Sequence, residues 1–173
     1  MKNVLIYLVI CASLALALVA CEPPCKNVDC GANGICNEEN GTCACIDGYE
    51  LDANGKCDVK VNAKFIGQWM SPEICTPSTN ANPYTITITE VSGDLRKARI
   101  SNFGRTNCDT DPLVVTAIID GTKLISFTET CVSVNVTGGS ATLSADGKFL
   151  NVSYTLIDGA GIEYSCTAAM EKQ

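Results

Sequence analysis

Residues 150–170 read LNVSYTLIDGAGIEYSCTAAM. Leu150, Val152, Tyr154 and Leu156 alternate with Asn151, Ser153 and Thr155, and after Asp158-Gly159-Ala160-Gly161 the alternation resumes at Ile162, Tyr164, Cys166, Ala168 and Met170. Successive side chains of a strand point to opposite faces, so each half of this stretch predicts a strand with one face on a core. The glycine-rich break between them is short enough to join antiparallel neighbours.

The same pattern extends outward from this hairpin. In YTITITE, residues 84–90, Tyr84, Ile86 and Ile88 alternate with threonines, and Ser92-Gly93-Asp94, Asp120-Gly121 and Asp146-Gly147 mark further reversals. From Phe65 onward the spacing predicts about eight strands over roughly 105 residues, and no segment carries helical periodicity. Successive hairpins make a meander, and closing it removes the exposed edges. The fold class expected is mainly β, with an antiparallel up-and-down barrel of about eight strands over residues 61–173, preceded by a small disulfide-rich module.

Gly67-Gln68-Trp69 opens this region and contains the chain's one tryptophan. The triplet resembles the Gly-x-Trp of lipocalin-like barrels, in which the tryptophan packs across the closed end. That resemblance gives Gly67 and Trp69 the role of a barrel motif. Cys75, Cys108, Cys131 and Cys166 are the cysteines of this region. First and last strands are neighbours in a closed barrel, so Cys75 is expected to bridge to Cys166, which leaves Cys108 for Cys131. The apolar side chains named above are numerous enough to fill a small eight-strand barrel, which predicts a solid core rather than a ligand cavity.

Residues 25–57, CKNVDCGANGICNEENGTCACIDGYELDANGKC, carry six cysteines with gaps of 4, 5, 6, 1 and 11 residues. So short a segment cannot bury enough apolar surface to fold without staples, and spacing alone leaves fifteen pairings open. The cysteine spacing, with Gly48-Tyr49 after the fifth cysteine, resembles an epidermal growth factor-like domain. The resemblance implies the pairs Cys25–Cys36, Cys30–Cys43 and Cys45–Cys57. Asn40-Gly41 and Asn54-Gly55 fall where the two hairpins of such a module must reverse. Calcium-binding members of that family carry acidic residues ahead of the first cysteine, where this chain has Glu22-Pro23-Pro24. Asn37, Glu38 and Glu39 therefore read as a solvated acidic loop. Cys43-Ala44-Cys45 is not a zinc-ribbon spacing and the chain has no histidine, so no metal is expected.

Ahead of the module, Lys2 is followed by an uncharged, largely apolar run from Val4 to Ala20, the order of regions in an export signal. Leu18-Val19-Ala20-Cys21 resembles the lipobox of bacterial lipoproteins, which implies a signal peptide over residues 1–20 and an acylated Cys21 as the mature N-terminus. Of twelve cysteines, Cys11 then leaves with the signal and Cys21 takes lipid, so that ten remain for five disulfides in an oxidising compartment. The domains expected are the signal over 1–20, the epidermal growth factor-like module over 21–60 and the barrel over 61–173. Localisation follows as the bacterial cell envelope, on a lipid anchor in the outer membrane, with the membrane face left open.

The chain's net charge of −7 becomes −8 once Lys2 is removed. An excess of negative charge repels phosphate backbones, which excludes nucleic acid as a partner. Absence of histidine removes the usual general base and the Ser-His-Asp arrangement, and no glycine-rich phosphate loop follows any strand. Most of the strand glutamates and aspartates read as turn or solvent-facing residues, and Asp109-Thr110-Asp111-Pro112 reads as a turn. Asn40-Gly-Thr42, Asn135-Val-Thr137 and Asn151-Val-Ser153 match the N-glycosylation acceptor pattern, coincidental in a bacterium. No enzyme and no cofactor are expected. The function expected is a membrane-anchored binding protein whose module presents the barrel to a protein or carbohydrate partner. The alternatives are a carrier of a small apolar ligand and an inhibitor of an exported enzyme.

Overall fold

The computed structural model describes residues 23–78, 82–129 and 131–173. The leader and Cys21 lie outside the described residues. Contacts divide the described chain into two units, residues 23–46 with 51–58, and residues 47–50 with 59–173. The second unit therefore takes in four residues, Asp47–Glu50, from between Cys45 and Cys57.

In the first unit β1 (Gly34–Cys36) and β2 (Cys43–Cys45) form an antiparallel hairpin. Disulfides join Cys25 to Cys36, Cys30 to Cys43 and Cys45 to Cys57, with Cα separations of 5.9, 5.4 and 5.2 Å. Its buried residues are Cys30 and Cys57, so sulfur does here what an apolar core does in a larger domain. Gly34 makes that packing feasible. A Cβ there would stand 2.6 Å from the Cys30 carbonyl oxygen and 2.8 Å from the Cys57 sulfur. Asp52 Oδ1 accepts hydrogen bonds from the backbone N–H groups of Asn54 and Lys56 and so shapes the second turn, which contains Gly55 at φ 80°. Lys56 pairs with Asp29. Asn37, Glu38 and Glu39 are exposed, and Asn37 Oδ1 accepts from the Glu39 N–H.

The second unit begins with the short pair β3 (Tyr49–Glu50) and β4 (Val59–Lys60), followed by β5 (Gly67–Ser71), β6 (Ile74–Thr76), β7 (Tyr84–Val91) and β8 (Asp94–Ser101). A 3₁₀ turn at Phe103–Arg105 and the small hairpin of β9 (Asn107–Cys108) and β10 (Asp111–Pro112) lead to β11 (Val114–Asp120) and β12 (Lys123–Glu129). The chain ends in β13 (Asn135–Leu143), β14 (Phe149–Ile157) and β15 (Glu163–Lys172). Eight strands close in the order β5-β7-β8-β11-β12-β13-β14-β15 and back to β5, every pairing antiparallel.

The first strand is broken but not displaced. Trp69 of β5 stands opposite Lys172, and Cys75 of β6 opposite Cys166, in one unbroken register along β15. Pro72, which has no N–H to give the ladder, falls in the gap. Because the register is continuous, Trp69, Ser71, Glu73 and Cys75 all share the inward face; the first three are buried and Cys75 is partly so.

The barrel is filled by its own side chains. Ile86 and Ile88 from β7, Val115, Ala117 and Ile119 from β11, and Leu150 and Val152 from β14 meet in one buried cluster with Trp69 and Met170. Ile162, which the sequence pattern places with the inward residues of the last strand, instead lies ahead of β15 and is exposed.

Candidate functional site

The two ends of the barrel are built differently. At one end the strands reverse through the short turns at Ser92-Gly93, Gly121-Thr122 and Ser144–Lys148, and Trp69 lies fully buried. Its indole Nε1 donates to the Phe65 carbonyl oxygen at 2.8 Å. Lys172 Nζ sits 5.4 Å from the indole ring centroid and donates to the Lys64 carbonyl oxygen at 2.9 Å. Gly67 adopts φ 134°, a conformation that favours glycine.

At the other end the connections are longer, and a cleft of about 240 Å³ opens among Glu73, Tyr84, Arg105, Tyr154, Asp158 and Tyr164. Glu73 is the centre of this end. Only 6% of it is exposed, and its Oε2 accepts hydrogen bonds from the hydroxyls of Tyr84 at 2.8 Å and Tyr154 at 2.6 Å. The Cys75 sulfur lies 3.4 Å from Oε1, and that sulfur, bonded to Cys166, carries no proton to donate. Among the described residues no N–H or O–H reaches Oε1. The Ser71 hydroxyl, on the register partner of Tyr84, is buried without a hydrogen bond.

Electrostatics at this end follow from burial. Removal from water raises the Glu73 carboxyl above its usual range, and the hydrogen bonds from Tyr154 and Tyr84 pull it part of the way back. Both phenols are pushed up, first by burial and then by the negative charge of Glu73. At the margin Tyr164 donates to Asp158 Oδ2 at 3.1 Å, while Asp158 Oδ1 accepts from the N–H groups of Ala160 and Ile162. Hydrogen bonds to the charged form hold the Asp158 carboxyl below its ordinary value, that from Ile162 first.

Both disulfides of the barrel belong to this end. Cys75–Cys166 ties β6 to β15, with Cα atoms 4.1 Å apart. Cys108–Cys131 joins the β8–β11 connection to the β12–β13 connection. Glu73, Cys75 and Cys166 place three potential ligand atoms within 4.8 Å of one another. With the two sulfurs bonded to each other, one carboxylate remains, too little to coordinate a metal ion.

The structure thus puts Trp69 and Gly67 at one end and Cys75 and Cys166 towards the other, while Asp109 and Asp111 stand exposed around the β9–β10 turn. Glu73 is an exception to the reading of most carboxylates as turn or solvent-facing residues. The signal lay in the period of two: with Trp69 inward, positions 71, 73 and 75 follow, and Pro72 hid the continuity of the strand. No known family's sequence model matches the chain, and no curated protein matches it either.

Proposed function

We propose that the protein is a non-enzymatic lipoprotein of the bacterial cell envelope, held at the outer membrane by an acylated Cys21, with an epidermal growth factor-like module that presents a short lipocalin-like barrel to a protein or carbohydrate partner. The observation that carries this reading is the contrast between a barrel interior packed with side chains and a small polar cleft at one end. A filled barrel offers little room for a lipid-like ligand, and a cleft lined by phenols and carboxylates does not favour one, which supports the binding reading over the apolar carrier. The module resemblance is supported by bridges joining the first cysteine of its six to the third, the second to the fourth and the fifth to the sixth. The barrel resemblance is supported by closure over eight strands around a tryptophan at one end.

Two measurements on cells making the full chain test this. Metabolic labelling with an alkyne fatty acid is expected to mark the protein and to be abolished by Cys21→Ser. Protease applied to intact cells is expected to remove the residue 60–173 domain from an immunoblot. An unlabelled, freely soluble product would end the anchoring proposal. Protection in intact cells alongside cleavage in lysed ones would end display at the surface and move the partner into the periplasm.

A further inference from the structure

Three phenols at the cleft hand their protons to carboxylates: Tyr84 and Tyr154 to Glu73, and Tyr164 to Asp158. Once those protons are committed, what these groups still offer a visitor is acceptor capacity, above all on Glu73 Oε1, since the Tyr84 oxygen already receives the Gly104 N–H. Glu73 Oε1, which no donor among the described residues reaches, is such an acceptor, on a buried carboxylate that lines an open cleft. Of the charged side chains lining it, Glu73 and Asp158 are negative and the exposed Arg105 is positive, which leaves an excess of one negative charge. The cleft, about 240 Å³, lies below the roughly 300–1,000 Å³ of drug-sized sites. It suits the end of one small group. The chain's own charge of −7 concentrates cations around it and repels anions.

The geometry points to a cation-recognition site at this end of the barrel, in which Glu73 Oε1 receives an alkylammonium or guanidinium group while Tyr84 and Tyr154 hold the carboxylate in place. This rests on reading the barrel as a binding domain and names the chemistry of what it binds. Such a group comes either from a lysine or arginine side chain of a protein partner or from a free small amine. The site is preorganised in two respects. The two phenols fix the carboxylate through Oε2, and the Cys75–Cys166 bridge beside Oε1 fixes β6, which begins at the residue after Glu73. Arg105 opposes a cation at the rim and so selects against multiply charged ones.

Calorimetric titration of the full chain in detergent with n-butylammonium, n-butylguanidinium and the neutral isostere n-butanol tests the inference. A lysyl tripeptide blocked at both ends is the fourth probe. Cation binding is expected, with butanol at least tenfold weaker. Glu73→Gln, which keeps the shape and an acceptor for both phenols, should weaken cation binding tenfold or more, and Arg105→Ala should strengthen it. In the unaltered chain affinity should rise with pH as Glu73 loses its proton and then level off. The ionisable groups facing it are Tyr84 from β7 and Tyr154 from β14, with Arg105, Asp158 and Tyr164 at the margin, and the phenols stay protonated over that range. Tighter binding of the tripeptide than of the free amines assigns the site to a partner's side chain, and the reverse order to a small amine. Equal binding of butanol, or a pH-independent affinity, overturns the inference without any variant having to fold. Failure of every cation while intact cells still display the barrel for capture of a partner would overturn this inference and leave the binding reading standing.

Discussion

The end of the barrel that holds Trp69 and the end that holds Glu73 solve one problem by opposite means. Short turns bring neighbouring strands close at the first, so a single large ring with no exposed surface closes it, and Lys172 covers that ring from the last strand. At the second the connections are long enough to leave an opening, packing is incomplete, and two disulfides hold what packing does not. Apolar burial stabilises in proportion to area whatever the loop lengths. A covalent bridge acts mainly on the unfolded chain, and its effect grows with the loop it closes. The comparison teaches that a small barrel can keep a polar opening where covalent links take over from the core.

The strongest way to break this comparison is Trp69→Ala. Removing a fully buried indole from a packed core should cost about 4–5 kcal/mol, near the top of the range for large aromatic truncations. Urea unfolding followed by circular dichroism measures it. A loss under about 1 kcal/mol would show that this end is not held by packing.

Next in size is the paired change Cys75→Ala with Cys166→Ala. The bridge spans a sequence separation of 91 residues, for which the chain-entropy argument sets an upper figure of about 4.6 kcal/mol, while bridges typically contribute about 2–4 kcal/mol. Trp69 is the only tryptophan, so its fluorescence reports the opposite end alone. The expected outcome is an earlier unfolding midpoint with an unchanged emission spectrum in the folded state. A shifted spectrum would mean that the two ends are not separately held.

Where the pattern of residues was regular, the fold was legible. Alternation in 84–90 and 150–170, with the turns between strands, is enough to give an antiparallel meander, and its closure over eight strands follows from the need to leave no edge. Other strands do not announce themselves. In β12 Leu124 and Phe127 are the buried residues, three apart rather than two, because the register slips against β11 and Ser126 takes φ 54°. A bulge of this kind erases the period of two that reveals a strand. β13 is similarly masked by a register shift between Val136 and Gly138 and by Gly139, where a Cβ would stand 2.3 Å from the Phe127 ring. The cleft was illegible for a further reason. Tyr84 and Tyr154 read correctly as inward residues, but their hydroxyls acquire meaning only when the link between β5 and β6 sets Glu73 between β7 and β14, a relation that spans 81 residues of sequence for Tyr154.

A smaller effect sharpens the account of the tryptophan end. Lys172→Met keeps the aliphatic stem over the ring and removes the charge, with its contact to the indole and its hydrogen bond to the Lys64 carbonyl. A partly desolvated cation over an aromatic face contributes about 0.5–1 kcal/mol, and a charged hydrogen bond adds to that. A loss of about 1–2 kcal/mol in urea unfolding is expected. No loss would assign the covering role of Lys172 to its methylenes alone.

The smallest effect separates the two ends by pH. Glu73 has a folded-state carboxyl raised above its ordinary value of 4.5, chiefly by burial. A raised carboxyl makes its full contribution to stability below the unfolded value and loses it as pH climbs through the folded one, because the charged form is the one that burial disfavours. Glu73→Gln removes this titration while preserving an acceptor for Tyr84 and Tyr154. The variant and the unaltered chain should therefore have similar urea midpoints relative to one another below about pH 4.5, and the variant should gain on the unaltered chain as pH rises from there to 7. Partial compensation by the two phenols keeps the gain small. Lys172→Met, at the other end, should track the unaltered chain in parallel over the same range, since no raised carboxyl touches the indole. A Glu73→Gln curve that stayed parallel as well would mean that the phenols offset the burial of the carboxylate in full, and that an ionised Glu73 sits in this cleft without a cost that a bound cation relieves.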